Sequence, residues 1–103
     1  MADFVRVAST GDIPPGEMMT VEVNGEEVVV ANLGGDFVCF SNSCTHRGGP
    51  LGEGILDGDI VECPFHAGRF NVRTGEVVEG PPNEPVPTYA VQVEGDDISV
   101  AVG

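Results

Sequence analysis

Residues 19–33, MTVEVNGEEVVVANL, decide the fold class. MTVEV alternates apolar and polar side chains with the period of two that a pleated strand imposes, and EVVVANL continues in β-branched residues. Asn24-Gly25 separates them. A two-residue type I′ turn needs positive φ at both central positions, so this dipeptide predicts an antiparallel hairpin.

The same signals recur in both directions along the chain. Upstream, DFVRVA reads as a strand that IPPG interrupts. Downstream, LGGD turns the chain into FVCF, and GILD and DIVEC flank a turn at Asp57 to Asp59. FNVR and VVE form a further hairpin around RTGE, and the proline-rich loop GPPNEPVP follows. In TYAVQVE the pattern predicts Tyr89, Val91 and Val93 on one face, with Gln92 and Glu94 on the other. Gly95 to Asp97 then turn the chain into ISVAV, with Ile98, Val100 and Val102 inward. No helical stripe competes with this pattern. The expectation is an all-β antiparallel domain, a sandwich or barrel, of eight to ten short strands.

A chain of 103 residues makes one domain, here taken as 1–103, because two would each be too small to hold a core. No apolar run approaches the roughly 20 residues needed to cross a bilayer, and the N-terminus lacks the pattern of a signal peptide. Three cysteines do not make a disulfide framework and fit a reduced, cytoplasmic setting. Seventeen acidic residues against four basic ones give a net charge of −13. Such a surface repels nucleic acid and favours a basic protein partner, although acidity also serves solubility alone. The bases are Arg6, Arg47, Arg69 and Arg73, three of them in or just after two Cys/His clusters. This predicts a pole less acidic than the rest of the body.

Those clusters carry the chemistry. Cys44-x-His46 lies in CTHRGGP (44–50), and after sixteen residues Cys63-x-x-His66 opens CPFHAGRF (63–70). Each sits where a predicted strand gives way to a Gly/Pro loop, and such loops expose backbone N–H groups and admit close approach. GGPLGEG resembles a phosphate loop only in composition, since no helix context or Lys-Ser/Thr follows it. One thiol and one imidazole per loop is unusual for structural zinc, whose ligands mostly pair like with like, but a zinc-stabilised interaction module stays open as an alternative. The other candidate is a [2Fe–2S] centre in which two His replace two Cys on one iron, which makes the mixed pairing a requirement.

At these two boxes the sequence resembles the Rieske family, and the resemblance extends over nearly the whole chain, proline-rich loop included. It implies a Rieske-like antiparallel sandwich or barrel with a small cluster-binding subdomain of two loops, about 43–53 and 62–71, covered by a loop at 80–87. It also implies one Rieske-type [2Fe–2S] cluster held by Cys44, His46, Cys63 and His66, with the thiolates on one iron and the imidazoles on the other. Two ferric ions and two sulfides carry +2, so two thiolates leave the oxidised centre neutral, which raises its potential above that of a four-thiolate centre. His46 and His66 are then the expected exit for the electron.

Within that family, respiratory members carry an extra cysteine in each loop. The matching positions here are about Gly49 and Phe65, so no bridge forms. High-potential members place a Ser and a Tyr hydroxyl as donors to the sulfurs, where this chain has Gly68 and Phe70. A potential near about −150 mV is expected. The resemblance therefore implies a soluble, monomeric ferredoxin that takes single electrons from a flavin-containing reductase to a terminal ring-hydroxylating oxygenase. Only two His are present, both assigned to the cluster, so the chain is expected to be an electron carrier and not an enzyme. The small subunit of an assimilatory nitrite reductase is the alternative within the family. Cys39, in FVCF, reads as a buried packing thiol. Pro81 and Pro82 are expected to shield the cluster, and Arg47 is a candidate docking residue.

Overall fold

The computed structural model describes residues 4–43, 50–64, 68–79 and 85–102. They form ten strands: β1 (Phe4–Ser9), β2 (Met18–Val23), β3 (Glu26–Asn32), β4 (Phe37–Ser41), β5 (Ile55–Asp57), β6 (Ile60–Glu62), β7 (Arg69–Asn71), β8 (Val77–Glu79), β9 (Thr88–Glu94) and β10 (Asp97–Ala101). Among the described residues the only helical pieces are 3-10 turns at Thr10–Asp12 and Leu51–Glu53. The all-β expectation holds.

The strands make two sheets. Six of them run β1-β10-β9-β4-β3-β2, and the outer strands β1 and β2 curl toward one another, so that this sheet nearly closes into a barrel. The other four form a small sheet, β5-β6-β7-β8, inserted between β4 and β9 in the chain. All pairings are antiparallel.

The opening hairpin forms as its residues predict. Val23 pairs with Glu26 across Asn24 (φ 52°) and Gly25 (φ 84°), both positive as a type I′ turn demands. The register then gives β3 two buried faces. Val28 and Val30 join Ile98 and Val100 inside the barrel, while Val29 and Ala31 join Phe40 against the small sheet. A strand covered on both sides has no need to alternate, which is why its sequence is a continuous apolar run. The small sheet contributes Val61 and Phe70 to the second core, and Phe40 and Phe70 are both fully buried. Burial of each ring contributes about 2–3 kcal/mol relative to exposure.

One face assignment holds without the burial that usually goes with it. Ile98, Val100 and Val102 are buried as expected, but Val93 is 44% exposed although it pairs directly with Ile98. Val93 lies near the end of β9, next to the hairpin turn at Gly95. Alternation reports which side a residue faces and not whether anything packs there.

Candidate metal centre

Two loops expected to hold ligands spring from pinned bases. The first leaves β4, and its base is closed by a bridge between Ser43 and Pro50. Beside that bridge the Leu51 N–H donates to the Asn42 carbonyl at 2.8 Å, and the Gly52 N–H donates to Asn42 Oδ1 at 2.8 Å. Leu51 is fully buried and anchors the returning segment in the inter-sheet core. The second loop joins β6 to β7. Its base is closed by the Cys63 N–H, which donates to the Gly68 carbonyl at 2.7 Å.

The small sheet brings the two bases together. Its register puts Ile55, Glu62, Arg69 and Glu79 in a row across one end. Gly54, Cys63 and Gly68 lie just beyond that row. Gly54 lies so close to β6 that a Cβ there would meet the Glu62 carbonyl oxygen at 1.9 Å. Only glycine permits this approach, and it lays the end of the first loop's return segment against the residue preceding Cys63. Gly54, the last glycine of GGPLGEG, thus serves backbone packing.

The cysteines separate cleanly. Cys39 lies inside the barrel, 1% exposed, and burial pushes its thiol up to about 12. It stays protonated and packs as a small apolar side chain, as its strand context predicts. Cys63 is equally buried but belongs to the other core, with Leu51, Phe70 and Val86, at the mouth of the second loop. It is a free thiol. A thiol at a loop base, in dry surroundings and beside a second loop base, is the donor chemistry an iron–sulfur centre needs. Among the described residues no group of three His, Cys, Asp or Glu side chains converges elsewhere to hold a metal. Cys44, His46 and His66 fall outside the described residues, as do Arg47, Gly49, Phe65, Pro81 and Pro82.

The expected less acidic pole is not supported by the described arginines. Arg69 stands in the row at the loop end, but Glu62 holds it at 2.9 Å and Glu79 lies at 3.9 Å. Arg73 sits at the opposite end of the small sheet, paired with Asp59 at 3.1 Å and Asp36 at 3.3 Å. The hydrogen bonds it donates to Asp36 and Asp59 raise its already high pKa. Each of these two arginines is matched by two carboxylates. Proximity in sequence to a Cys/His box misled here, because a three-residue strand carries the chain to the far edge of the sheet.

Two features escaped the sequence reading. Val86, within the proline-rich loop, is 2% exposed and belongs to the core of Cys63. Asn42 uses its side-chain oxygen to fasten the first loop. Neither carries a compositional signal, since a Val between prolines and an Asn before a turn are ordinary loop residues.

A fold of this shape, with two clamped loops at one end of a small sheet, defines an iron–sulfur protein of the Rieske class. The Rieske [2Fe-2S] domain model matches residues 3–90, so the chain belongs to that family and carries one cluster of this type. Among its relatives is the biphenyl dioxygenase ferredoxin subunit of Pseudomonas sp. (strain KKS102), 42% identical over 98 residues, spanning 94% of this chain and 90% of that protein. The ferredoxin of carbazole 1,9a-dioxygenase from Nocardioides aromaticivorans IC177 superimposes with a TM-score of 0.92 at 38% identity, covering 97% of this chain and 98% of that one. A ferredoxin chain solved as a complex of reduced oxygenase and oxidized ferredoxin in carbazole 1,9a-dioxygenase gives 0.91 at 36% identity, covering 95% and 92%.

Proposed function

We propose that this chain is the ferredoxin component of a ring-hydroxylating oxygenase system, a carrier of single electrons to a terminal oxygenase and not itself a catalyst. The observation that carries this reading is the end-to-end match to free-standing ferredoxin components, over a fold whose two loop bases meet at Gly54 and Glu62, the residue before Cys63. Cys44 and Cys63 would hold one iron and His46 and His66 the other. The bound cluster supplies a one-electron couple. The chain's own residues pin the bases of the loops and exclude water from Cys63, and the imidazoles would be the route outward.

The electron donor in this reading is a flavin-containing reductase, and the protein works as a cytoplasmic monomer. No helix of the described residues is long and apolar enough to cross a membrane. The potential is expected near about −150 mV, at the low end of the Rieske range. Support comes from Phe70, which is fully buried and has no hydroxyl, and from Gly68, which has no side chain to donate from.

The test is reduction of the purified protein by dithionite followed by EPR, then single-turnover electron delivery to a purified biphenyl or carbazole oxygenase. A Rieske-type signal of low average g-value that disappears on mixing with the oxygenase is expected. A colourless, redox-silent protein containing zinc would overturn the reading. So would a reduced cluster that no ring-hydroxylating oxygenase oxidises.

A further inference from the structure

The turn between β7 and β8 holds a glycine whose close neighbour lies outside its own hairpin. The Val86 N–H donates to the Gly75 carbonyl at 2.8 Å. A Cβ on Gly75 would stand 2.2 Å from the Val86 carbonyl oxygen, and Gly75 has φ +83°, so the position is closed to a side chain twice over. The Val86 side chain is buried in the core that contains Cys63, Leu51 and Phe70. One residue on, the Pro87 carbonyl accepts from the Ser41 N–H at 2.9 Å. Ser41 Oγ in turn accepts from the Ser43 N–H at 3.2 Å, at the bridge that closes the first loop. Residues 85–87 therefore join the small sheet's far turn to the base of the first loop, with Val86 packed into the core between.

We infer that Gly75 is a positioning residue for the redox centre: by admitting the Val86 backbone it seats the Val86 side chain in the apolar packing around Cys63, and so helps hold the potential low. This rests on the proposed role of Cys63 as an iron ligand. The oxidised centre is neutral by ligand count and gains one negative charge on reduction. Apolar packing beside a ligating sulfur disfavours the charged form. A side chain at position 75 must displace the Val86 backbone and draw its side chain from that core. Water then solvates the reduced state better, and the potential rises.

Gly58 supplies a matched control. It sits in the neighbouring β5–β6 turn with φ +60°, but a Cβ there would meet nothing within 4 Å. Gly58→Ala therefore strains the backbone of the same sheet without moving a neighbour. Midpoint potentials of the holoprotein and of the Gly75→Ala, Val86→Ala and Gly58→Ala variants test the inference, together with pulsed EPR of each in D2O. The expected result is an upward shift and stronger deuteron coupling for Gly75→Ala and Val86→Ala, with Gly58→Ala at the wild-type value. Loss of stability alone would affect Gly58→Ala as well and leave the potential in place. If Gly75→Ala does not retain its cluster, Val86→Ala reads the same packing with the backbone seat intact. A wild-type potential in whichever of these variants keeps its cluster overturns the inference, as does an equal shift in Gly58→Ala. A wild-type protein with no Rieske-type signal overturns the functional reading itself, and a failure at that step is distinguishable from a failure of the variants.

Discussion

The barrel and the small sheet solve the same problem with different means. Barrel strands are five to seven residues long and register over most of their length, and the turn glycines Gly25, Gly34 and Gly95 face open space. Strands of the small sheet are three residues each, at the short end of the usual range. That sheet depends on glycines pressed against neighbouring backbone at Gly54 and Gly75, and on a core borrowed from the barrel's outer face. The long strands make a scaffold from pattern alone. The short ones make a site by contact, and every contact has to be specific.

The largest expected effect follows from that dependence. Among the described residues, Phe70 is the one fully buried ring the small sheet places against the barrel. Phe70→Ala should cost about 3–5 kcal/mol by urea unfolding of the holoprotein, with iron loss preceding collapse of the barrel signal. A single transition with iron and far-UV signals lost together would show that the two regions fold as one unit, and would end the distinction drawn above.

Gly54→Ala against Gly25→Ala compares the two kinds of glycine directly. At Gly25 the new methyl meets nothing, and only the positive φ is penalised, for about 1 kcal/mol. At Gly54 the methyl collides with the Glu62 carbonyl, so β5 and β6 must part beside Cys63. About 3 kcal/mol is expected, with sub-stoichiometric iron in the purified protein. Equal destabilisation with full iron loading in both would mean that the approach at Gly54 is dispensable.

The same contrast explains what could be read from sequence. The Asn24-Gly25 hairpin, the inward Ile98 and Val100, and Cys39 in its strand were legible because period and turn chemistry are local properties. The Cys/His boxes stand out because four rare residues at fixed spacing carry a chemical meaning of their own, and of the four Cys63 lies among the described residues. The partners of Arg73 and the burial of Val86 were not. Both depend on which backbone lies across from a three-residue strand, and a glycine that marks such an approach looks in sequence like any turn glycine. Val93 shows the complementary case, where the local pattern is right but the side chain stays exposed.

Cys39 offers a probe of the barrel alone. Its thiol is raised from 9.0 to about 12 by burial, so the unfolded chain ionises first as pH rises. The contribution of the Cys39 thiol to stability is fully present below pH 9 and is lost progressively as pH climbs toward 12. Chemical denaturation at stepped pH should show this decline in the wild type and a shallower one in Cys39→Ala. Parallel pH profiles for the two proteins would assign the alkaline loss to another group.

The smallest effect is expected where the two regions are tied by charge. Arg73, from the small sheet's far turn, reaches Asp36 at the start of β4 and Asp59 in the β5–β6 turn. All three side chains are substantially exposed, so solvent and salt screen the network. Arg73→Ala should cost less than about 1 kcal/mol in dilute buffer and almost nothing in molar salt. The loss has a direction: with its counter-charge gone, Asp36 on the barrel repels Asp59 on the small sheet, and the opening should favour iron release over barrel unfolding. Iron-release rates for wild type and Arg73→Ala at low and high salt make the comparison. A difference that survives molar salt would mean that Arg73 acts through packing of its stem, and that the two sheets are joined more firmly at this end than two exposed ion pairs can join them.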